Sequence, residues 1–95
     1  SFQHIIWKLK AKFFIRKLFK AYMNNPLQLP DYMLKRYDRL NNEVSLREQP
    51  FEQRGTNIER YRRKLEFVRL ICDYIAGMTD SFAMDEFKNL YLPIS

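Results

Sequence analysis

The side chains best suited to chemistry form a charged stripe of four residues in the second half of the chain. Arg62, Glu66, Arg69 and Asp73 are spaced by 4, 3 and 4 positions, so they would follow one face of a helix. Two interpretations are open. The stripe could be a solvated ladder of ion pairs, each contributing roughly 0.2–0.5 kcal/mol. Alternatively, Arg62 and Arg69 could bind a phosphorylated substrate through bidentate, charge-assisted hydrogen bonds.

A carboxylate and a phenol interrupt the apolar run that follows this stripe. Asp73 lies among apolar residues, and a buried carboxylate requires a partner. We expect that partner to be Arg69, one helical turn earlier. Tyr74 could stack on a substrate, although packing in a core or an interface is the simpler interpretation. Met78 and Phe82 are expected in the core.

The chain carries one histidine, His4, and one cysteine, Cys72. A single cysteine cannot form an internal disulfide, and its apolar neighbours predict a small buried side chain in a reducing compartment. A catalytic thiol would need a nearby base, and His4 is distant in sequence. The residues therefore predict no catalytic group and no metal ligand in this chain.

The order Asp73-Tyr74-Ile75-Ala76-Gly77-Met78-Thr79-Asp80 within residues 70–83 has no generic helical explanation. It resembles a signature near the C-terminal end of bacterial deoxyguanosinetriphosphate triphosphohydrolases and their dNTPase relatives, in the HD phosphohydrolase superfamily. A weaker similarity covers residues 12–30, where a basic helix leads to Phe19-Lys20-Ala21-Tyr22 and Leu29-Pro30. Ser81 departs from the basic residue that follows the last aspartate in the family.

The resemblance implies the C-terminal helical part of an enzyme that cuts a dNTP into a deoxynucleoside and triphosphate. Such enzymes hold a divalent metal, Mg²⁺ or Mn²⁺, through a His, a His-Asp pair and a distant Asp. One histidine cannot supply that set, so the catalytic HD core is expected elsewhere and this chain alone is expected to be inactive. The implied roles are scaffold, pocket wall and subunit contacts.

The same resemblance implies a set of partners. They are the rest of the parent enzyme, further copies in a homo-oligomer and the dNTP substrate. Separately, the basic surface of such an enzyme could also touch single-stranded DNA. No membrane partner is expected, since the chain has no apolar run long enough to span a bilayer, and the expected location is the cytoplasm.

A rival hypothesis comes from the charge distribution. Residues 1–30 contain six Lys or Arg and no acidic residue, so the net charge of +6 originates there. A basic helical module could bind nucleic acid through residues 5–20, in a salt-dependent and sequence-tolerant way. No helix-turn-helix signature or aromatic RNA-binding motif supports this rival.

The elements that must position these residues are predicted to be helices, since the chain has only two glycines and four prolines. We predict an all-α bundle of about four helices, near 3–24, 31–40, 57–77 and 80–91. Thr56 and Glu59 form a capping box for the third helix, after a loop over 41–55. Gly77 ends that helix, Thr79 or Asp80 caps the next one, and Pro93 closes it.

Two of these helices have notable predicted faces. The third helix presents one apolar face, made of Ile58, Tyr61, Leu65, Val68, Cys72, Ile75 and Ala76. The first helix is apolar on two sides, with Phe2, Ile5, Ile6, Leu9 and Phe13 on one and Trp7, Phe14, Leu18, Ala21 and Tyr22 on the other. A helix apolar on both sides is usually packed between other elements, so we expect part of it to be exposed or covered by a partner.

Overall fold

Five α-helices and two short 3₁₀ turns make up the computed structural model, which describes residues 2–41 and 43–92. The helices are α1 (Phe2–Asn24), α2 (Asp31–Leu40), α3 (Phe51–Arg62), α4 (Leu65–Ala76) and α5 (Asp80–Tyr91). The 3₁₀ turns lie at Pro26–Gln28 and Leu46–Glu48. The described residues contain no strand, which confirms the all-α prediction.

Three helices have the predicted bounds because a proline or a capping side chain marks one of their ends. The side chain of Asn25 accepts a hydrogen bond from the Leu27 N–H at 3.2 Å and starts the first 3₁₀ turn after α1. Pro30 precedes the first turn of α2, a position that needs no N–H donor. The Thr79 hydroxyl accepts from the Phe82 N–H at 3.1 Å and caps α5. Pro93, predicted to close α5, lies outside the described residues.

The predicted single helix over 57–77 is wrong, since two helices occupy this region. α3 ends at Arg62 and α4 begins at Leu65, with Lys64 in an extended conformation (φ −90°, ψ 126°). The capping box at Thr56 is also wrong, because α3 begins after Pro50 and Thr56 lies inside it. The loop predicted over 41–55 therefore ends five residues earlier and contains the second 3₁₀ turn.

The break sets the rotation of α4 about its axis. Phe67, Ile71 and Ile75 face the core. Leu65 is 71% exposed, and Cys72 and Ala76 are also exposed, so these parts of the predicted apolar face are wrong. The buried Cys72 prediction fails because Cys72 follows Ile71 by one position, about 100° around the helix.

The predicted buried pair of Asp73 and Arg69 is likewise wrong. Both side chains are exposed, and no ion pair joins them within the described part of the chain. Phe82, expected in the core, is 44% exposed, whereas Met78 packs against the core.

The core lies where α1, α2, α3 and α4 meet and is rich in aromatic rings. Tyr37, Tyr61 and Phe67 contact one another with ring centroids 5.2–5.6 Å apart. The buried members of the cluster are Leu18, Tyr22, Leu29, Leu34, Tyr37, Leu46, Tyr61, Phe67, Ile71 and Ile75. This cluster gives α2 and α4 a fixed relative position, and the site described below lies between them.

The two sides of α1 have different surroundings. Leu18 and Tyr22 are fully buried on the inner side, where α1 contacts α4 and α5. Phe2, Leu9 and Phe13 are exposed on the other side, as expected from the two-sided pattern; the side chain of Trp7 is outside the description. The radius of gyration is 15.0 Å, against about 12 Å for a compact domain of this length, because α1 extends beyond the other helices.

Candidate binding groove

An open groove of about 950 Å³ lies between α2 and α4 and reaches the start of α5. We call it the α2–α4 groove. Its lining combines aromatic, apolar and charged side chains from the three helices. They are Tyr32, Met33, Arg36, Tyr37, Leu40, Asn41, Glu66, Arg69, Leu70, Asp73, Tyr74, Gly77, Met78, Thr79 and Phe82.

The groove gathers most of the signature that the sequence singled out. Asp73, Tyr74, Gly77, Met78 and Thr79 all line it, because the end of α4 and the cap of α5 form one of its walls. Asp80 does not line it. Asp80 is exposed in the first turn of α5 and borders a second, mainly apolar groove between α1, α4 and α5.

Charges of both signs face the α2–α4 groove. Arg36 of α2 and Arg69 of α4 supply the cations, and Glu66 and Asp73 supply the anions. Arg62, predicted to share a stripe with Arg69, lies in α3 and outside this lining. Its guanidinium pairs instead with the Glu59 carboxylate at 2.7 Å. The helix break therefore separates the two arginines that the sequence grouped together.

Tyr74 is held by contacts in the interior. Its ring meets that of Tyr22 edge to face, with centroids 5.6 Å apart. The Tyr22 hydroxyl donates a hydrogen bond to the Glu86 carboxylate at 2.5 Å. Burial, and then the negative charge of Glu86, raise the pKa of Tyr74. The phenol at the groove wall is therefore neutral at physiological pH and able to donate a hydrogen bond.

Tyr37 brings an unpaired polar atom to the groove. The residue is 5% exposed and lines the groove floor, and its buried hydroxyl has no hydrogen-bond partner within the described residues. Burial, and then the charge of Glu66, raise its pKa. A buried hydroxyl without a partner is destabilising by about 1–3 kcal/mol, so a bound molecule that supplied a partner would recover part of that free energy.

Gly77 ends α4 without needing the conformational freedom of glycine. Its φ of −84° lies in the right-handed region. A Cβ atom there would meet the Asp73 and Tyr74 carbonyl oxygens at 3.6 and 3.7 Å, which is ordinary contact. The structure therefore gives no backbone reason for glycine at this point of the groove wall.

The lining of the groove limits the chemistry that it could carry out. The described residues contain no cluster of three or more His, Cys, Asp or Glu that could hold a metal ion, so the Mg²⁺ or Mn²⁺ of an HD centre does not fit this chain. Two guanidinium groups can neutralise oxyanions, and tyrosines can stack on a base or donate hydrogen bonds. Such a surface would recognise an aromatic, anionic molecule.

Sequence reasoning did not anticipate the contribution of α2. Tyr32, Arg36 and Tyr37 carry no motif, and their only signal is helical spacing, with Tyr32 and Arg36 four residues apart. Their pairing with α4 depends on the aromatic core, which becomes visible only in three dimensions.

The described residues form a small all-α module with an open groove lined by aromatic, apolar and charged side chains. The chain matches the phosphohydrolase-associated domain over residues 4–89 and belongs to that family.

Curated relatives share its sequence at moderate identity. The chain is 34% identical over 89 residues to a deoxyguanosinetriphosphate triphosphohydrolase-like protein of Geobacter metallireducens, a match that covers 90% of this chain and 16% of that protein. It is 35% identical over 83 residues to a protein of the same description from Bordetella pertussis, covering 86% of this chain and 15% of the relative. The chain thus spans about one sixth of the length of these relatives.

No solved structure matches the chain significantly. Within the described ranges, no helix combines the length and the apolar composition that crossing a bilayer requires.

Proposed function

We propose that this chain is the C-terminal helical part of a dNTP triphosphohydrolase and that the α2–α4 groove forms one wall of its substrate pocket. One observation carries the proposal. The groove collects the signature residues Asp73, Tyr74, Gly77, Met78 and Thr79 together with two arginines, in a chain similar to proteins described as deoxyguanosinetriphosphate triphosphohydrolase-like.

Five of the lining residues have assigned roles under this proposal. Arg69 and Arg36 neutralise charge on the triphosphate. Tyr74 donates a hydrogen bond or stacks on the base. Glu66 and Asp73 repel misplaced phosphates. The divalent metal and the residues that hold it would lie in the HD core, in the part of the parent protein outside this chain.

The test uses the longer protein encoded by the gene that contains these 95 residues. Arg69→Ala should lower kcat/KM for dGTP about 10- to 100-fold, the effect of losing one charged hydrogen bond. Arg62→Ala is the matched control, since Arg62 is on a neighbouring helix and pairs with Glu59; it should change kcat/KM less than about threefold. Equal effects of the two substitutions would contradict the assignment of the groove.

Gly77→Ala offers a second test with little structural disturbance. The backbone conformation accepts alanine, so the melting temperature should stay the same or rise slightly. A methyl group at the groove wall should nevertheless raise KM for a substrate that contacts it. Unchanged kinetics for this variant would place the substrate elsewhere.

Nucleic-acid binding through α1 is the rival function, and one observation favours it. Lys8, Lys10, Lys12, Arg16 and Lys20 are all exposed, and α1 contains no acidic residue. Fluorescence anisotropy with labelled single-stranded DNA at several salt concentrations tests it. A steep loss of affinity with salt would support phosphate contacts, and no binding at low salt would remove the rival.

A further inference from the structure

We propose that the outer face of α1 docks onto an apolar surface rimmed by carboxylates in the phosphohydrolase portion of the longer protein. The proposal rests on the proposed function and names the face through which this module joins the rest of the enzyme. We call this face the α1 stripe. It consists of Phe2, Ile5, Ile6, Leu9 and Phe13.

The α1 stripe is a continuous apolar surface on the outside of the molecule. Phe2 is 77% exposed, Leu9 60% and Ile5 58%. Phe2, Ile6, Leu9 and Phe13 are three or four residues apart, and Ile5 lies beside Ile6, so the five side chains follow one side of the helix. Contiguous exposed apolar surface of this kind marks an interaction site on a soluble protein.

The first part of α1 presents its described side chains to solvent. Every described side chain over residues 2–10 is exposed; ring contacts with Phe87 of α5 begin at Phe13 and Phe14, and the first fully buried side chain of α1 is Leu18. An isolated helix shorter than about 12–15 residues is marginal in water, because most helix stability comes from packing of an apolar face. This segment extends a 23-residue helix that is packed only in its second half, so a surface covering its apolar side would stabilise it.

The charges around the stripe indicate the chemistry of that surface. Lys8 and Lys12 lie on one flank, and Lys10 and Lys17 lie on the other, as the helical period requires. A second copy of α1 packed on the stripe would bring cations against cations, which disfavours self-pairing. Asp and Glu around an apolar centre would be complementary on both flanks.

The lengths of the relatives indicate where such a surface lies. The matching part makes up 16% of the Geobacter metallireducens protein, and the family is a phosphohydrolase-associated domain. Most of a protein of this kind therefore lies outside the matched region and is available to cover the stripe. Covering a single helix side requires only a modest part of that surface.

Surface footprinting tests the docking face. Residues 2–13 would be labelled with a carbene probe in the 95-residue chain and in the longer protein encoded by its gene. We expect strong labelling of the α1 stripe in the short chain and loss of most of that labelling in the longer protein. Equal labelling in both would overturn the proposal, and protection that appears only as protein concentration rises would assign the face to a second copy and also overturn it.

A matched pair of substitutions provides the second measurement. Leu9 and Leu65 are exposed to a similar degree, 60% and 71%, and lie on different helices. Leu9→Glu and Leu65→Glu should each shift the melting temperature of the short chain by less than about 3 °C. In the longer protein only Leu9→Glu should lower it by several degrees, and an equal effect of both would contradict docking through the stripe.

The outcomes separate this proposal from the proposed function. Hydrolysis of dGTP by a longer protein whose stripe is still labelled would refute the docking face alone. Protection of the stripe without any dNTP hydrolysis would refute the substrate assignment and support the docking face. Protection of the stripe in the short chain by added single-stranded DNA, or by vesicles of anionic phospholipid, would assign it to another partner and overturn the proposal.

Discussion

Asp38 is the carboxylate on which the fold depends most. It is 1% exposed, and it accepts hydrogen bonds from the Tyr61 hydroxyl at 2.5 Å and the Leu46 N–H at 2.8 Å. Tyr61 also lies 2.9 Å from a Glu43 oxygen and accepts from the Gln49 amide at 3.2 Å. The phenol has one proton, and the shorter contact identifies Asp38 as its acceptor. This network connects α2 to α3 across the intervening segment.

Asp38→Asn should destabilise the chain by about 2 kcal/mol. An amide offers one acceptor oxygen, so one of the two donors would face an NH₂ group and lose a charged hydrogen bond. Asp73→Asn is the matched control and should change stability by less than about 0.5 kcal/mol, because Asp73 is exposed. Urea denaturation midpoints measure both, and equal losses would contradict the role assigned to Asp38.

The stability difference between wild type and Asp38→Asn should depend on pH. Burial raises the pKa of Asp38 in the folded state, although the Tyr61 and Leu46 hydrogen bonds act in the opposite direction. A raised folded-state pKa means that this carboxyl stabilises the fold most below its unfolded pKa of about 3.9 and loses that contribution as pH rises through the folded value. The deficit of Asp38→Asn should therefore be larger near pH 4 than near pH 7. A deficit that grows with pH would show that the hydrogen bonds outweigh burial.

At the scale of elements, proline and capping hydroxyls predicted two helix starts and missed a third: α3 begins after Pro50, where a loop was expected, and Thr56 was wrongly predicted as a cap. Pro30 and Thr79 located the start of α2 and α5 correctly. The break between α3 and α4 carries neither glycine nor proline, and Arg63 and Lys64 are good helix formers, so local sequence could not reveal it. Because the break was missed, the wrong side of α4 was predicted to face the core. Cys72 and Asp73 were therefore predicted to be buried, although both are exposed.

The start of α4 lacks a cap, and adding one should stabilise the chain. Lys64 occupies the N-cap position in an extended conformation with no side-chain cap. Lys64→Ser should add about 0.5–1 kcal/mol, since a serine hydroxyl can accept from the first free N–H groups. Thr79→Ala, which removes the existing cap of α5, should subtract a similar amount. Thermal melts of the two variants should shift in opposite directions, and a shift in the same direction would show that Lys64 is held in place by other contacts.

Hydrogen bonds from two tyrosines join α1 to α5. The bond from the more buried tyrosine should contribute more to the stability of the fold. The buried Tyr22 hydroxyl donates to Glu86, and the half-exposed Tyr91 hydroxyl donates to the Lys17 carbonyl, each at 2.5 Å. Tyr22→Phe should destabilise the chain by about 1–2 kcal/mol, whereas Tyr91→Phe should cost less than about 0.5 kcal/mol because water replaces its partner. Differential scanning calorimetry would measure the loss of stability in each variant. A larger loss for Tyr91→Phe than for Tyr22→Phe would contradict the argument from burial.

At the scale of the whole molecule, the two proposals assign different tasks to two separate surfaces. The α2–α4 groove carries the signature, whereas the α1 stripe lies on the outside of a helix that packs on the other side of α4. The signature half of the groove was predictable, because the order Asp73 to Asp80 is specific. The half of the groove that α2 contributes could not be predicted from the sequence. Arg36 and Tyr37 line the groove only because Tyr37 packs on Phe67.

The isolated chain should not hydrolyse dGTP, despite the groove. Cleavage of a dNTP by an HD enzyme needs a metal to activate water and to neutralise the phosphates, and the described residues offer no ligand set for one. The chain would be incubated with dGTP and Mg²⁺ or Mn²⁺, and triphosphate release would be followed by ion-exchange chromatography. A mock purification from cells without the chain controls for contaminating enzymes. The contrary result would be triphosphate release that coelutes with the chain and is lost on Arg69→Ala. It would show that these 95 residues hold a complete active centre and that the HD core is not needed for hydrolysis.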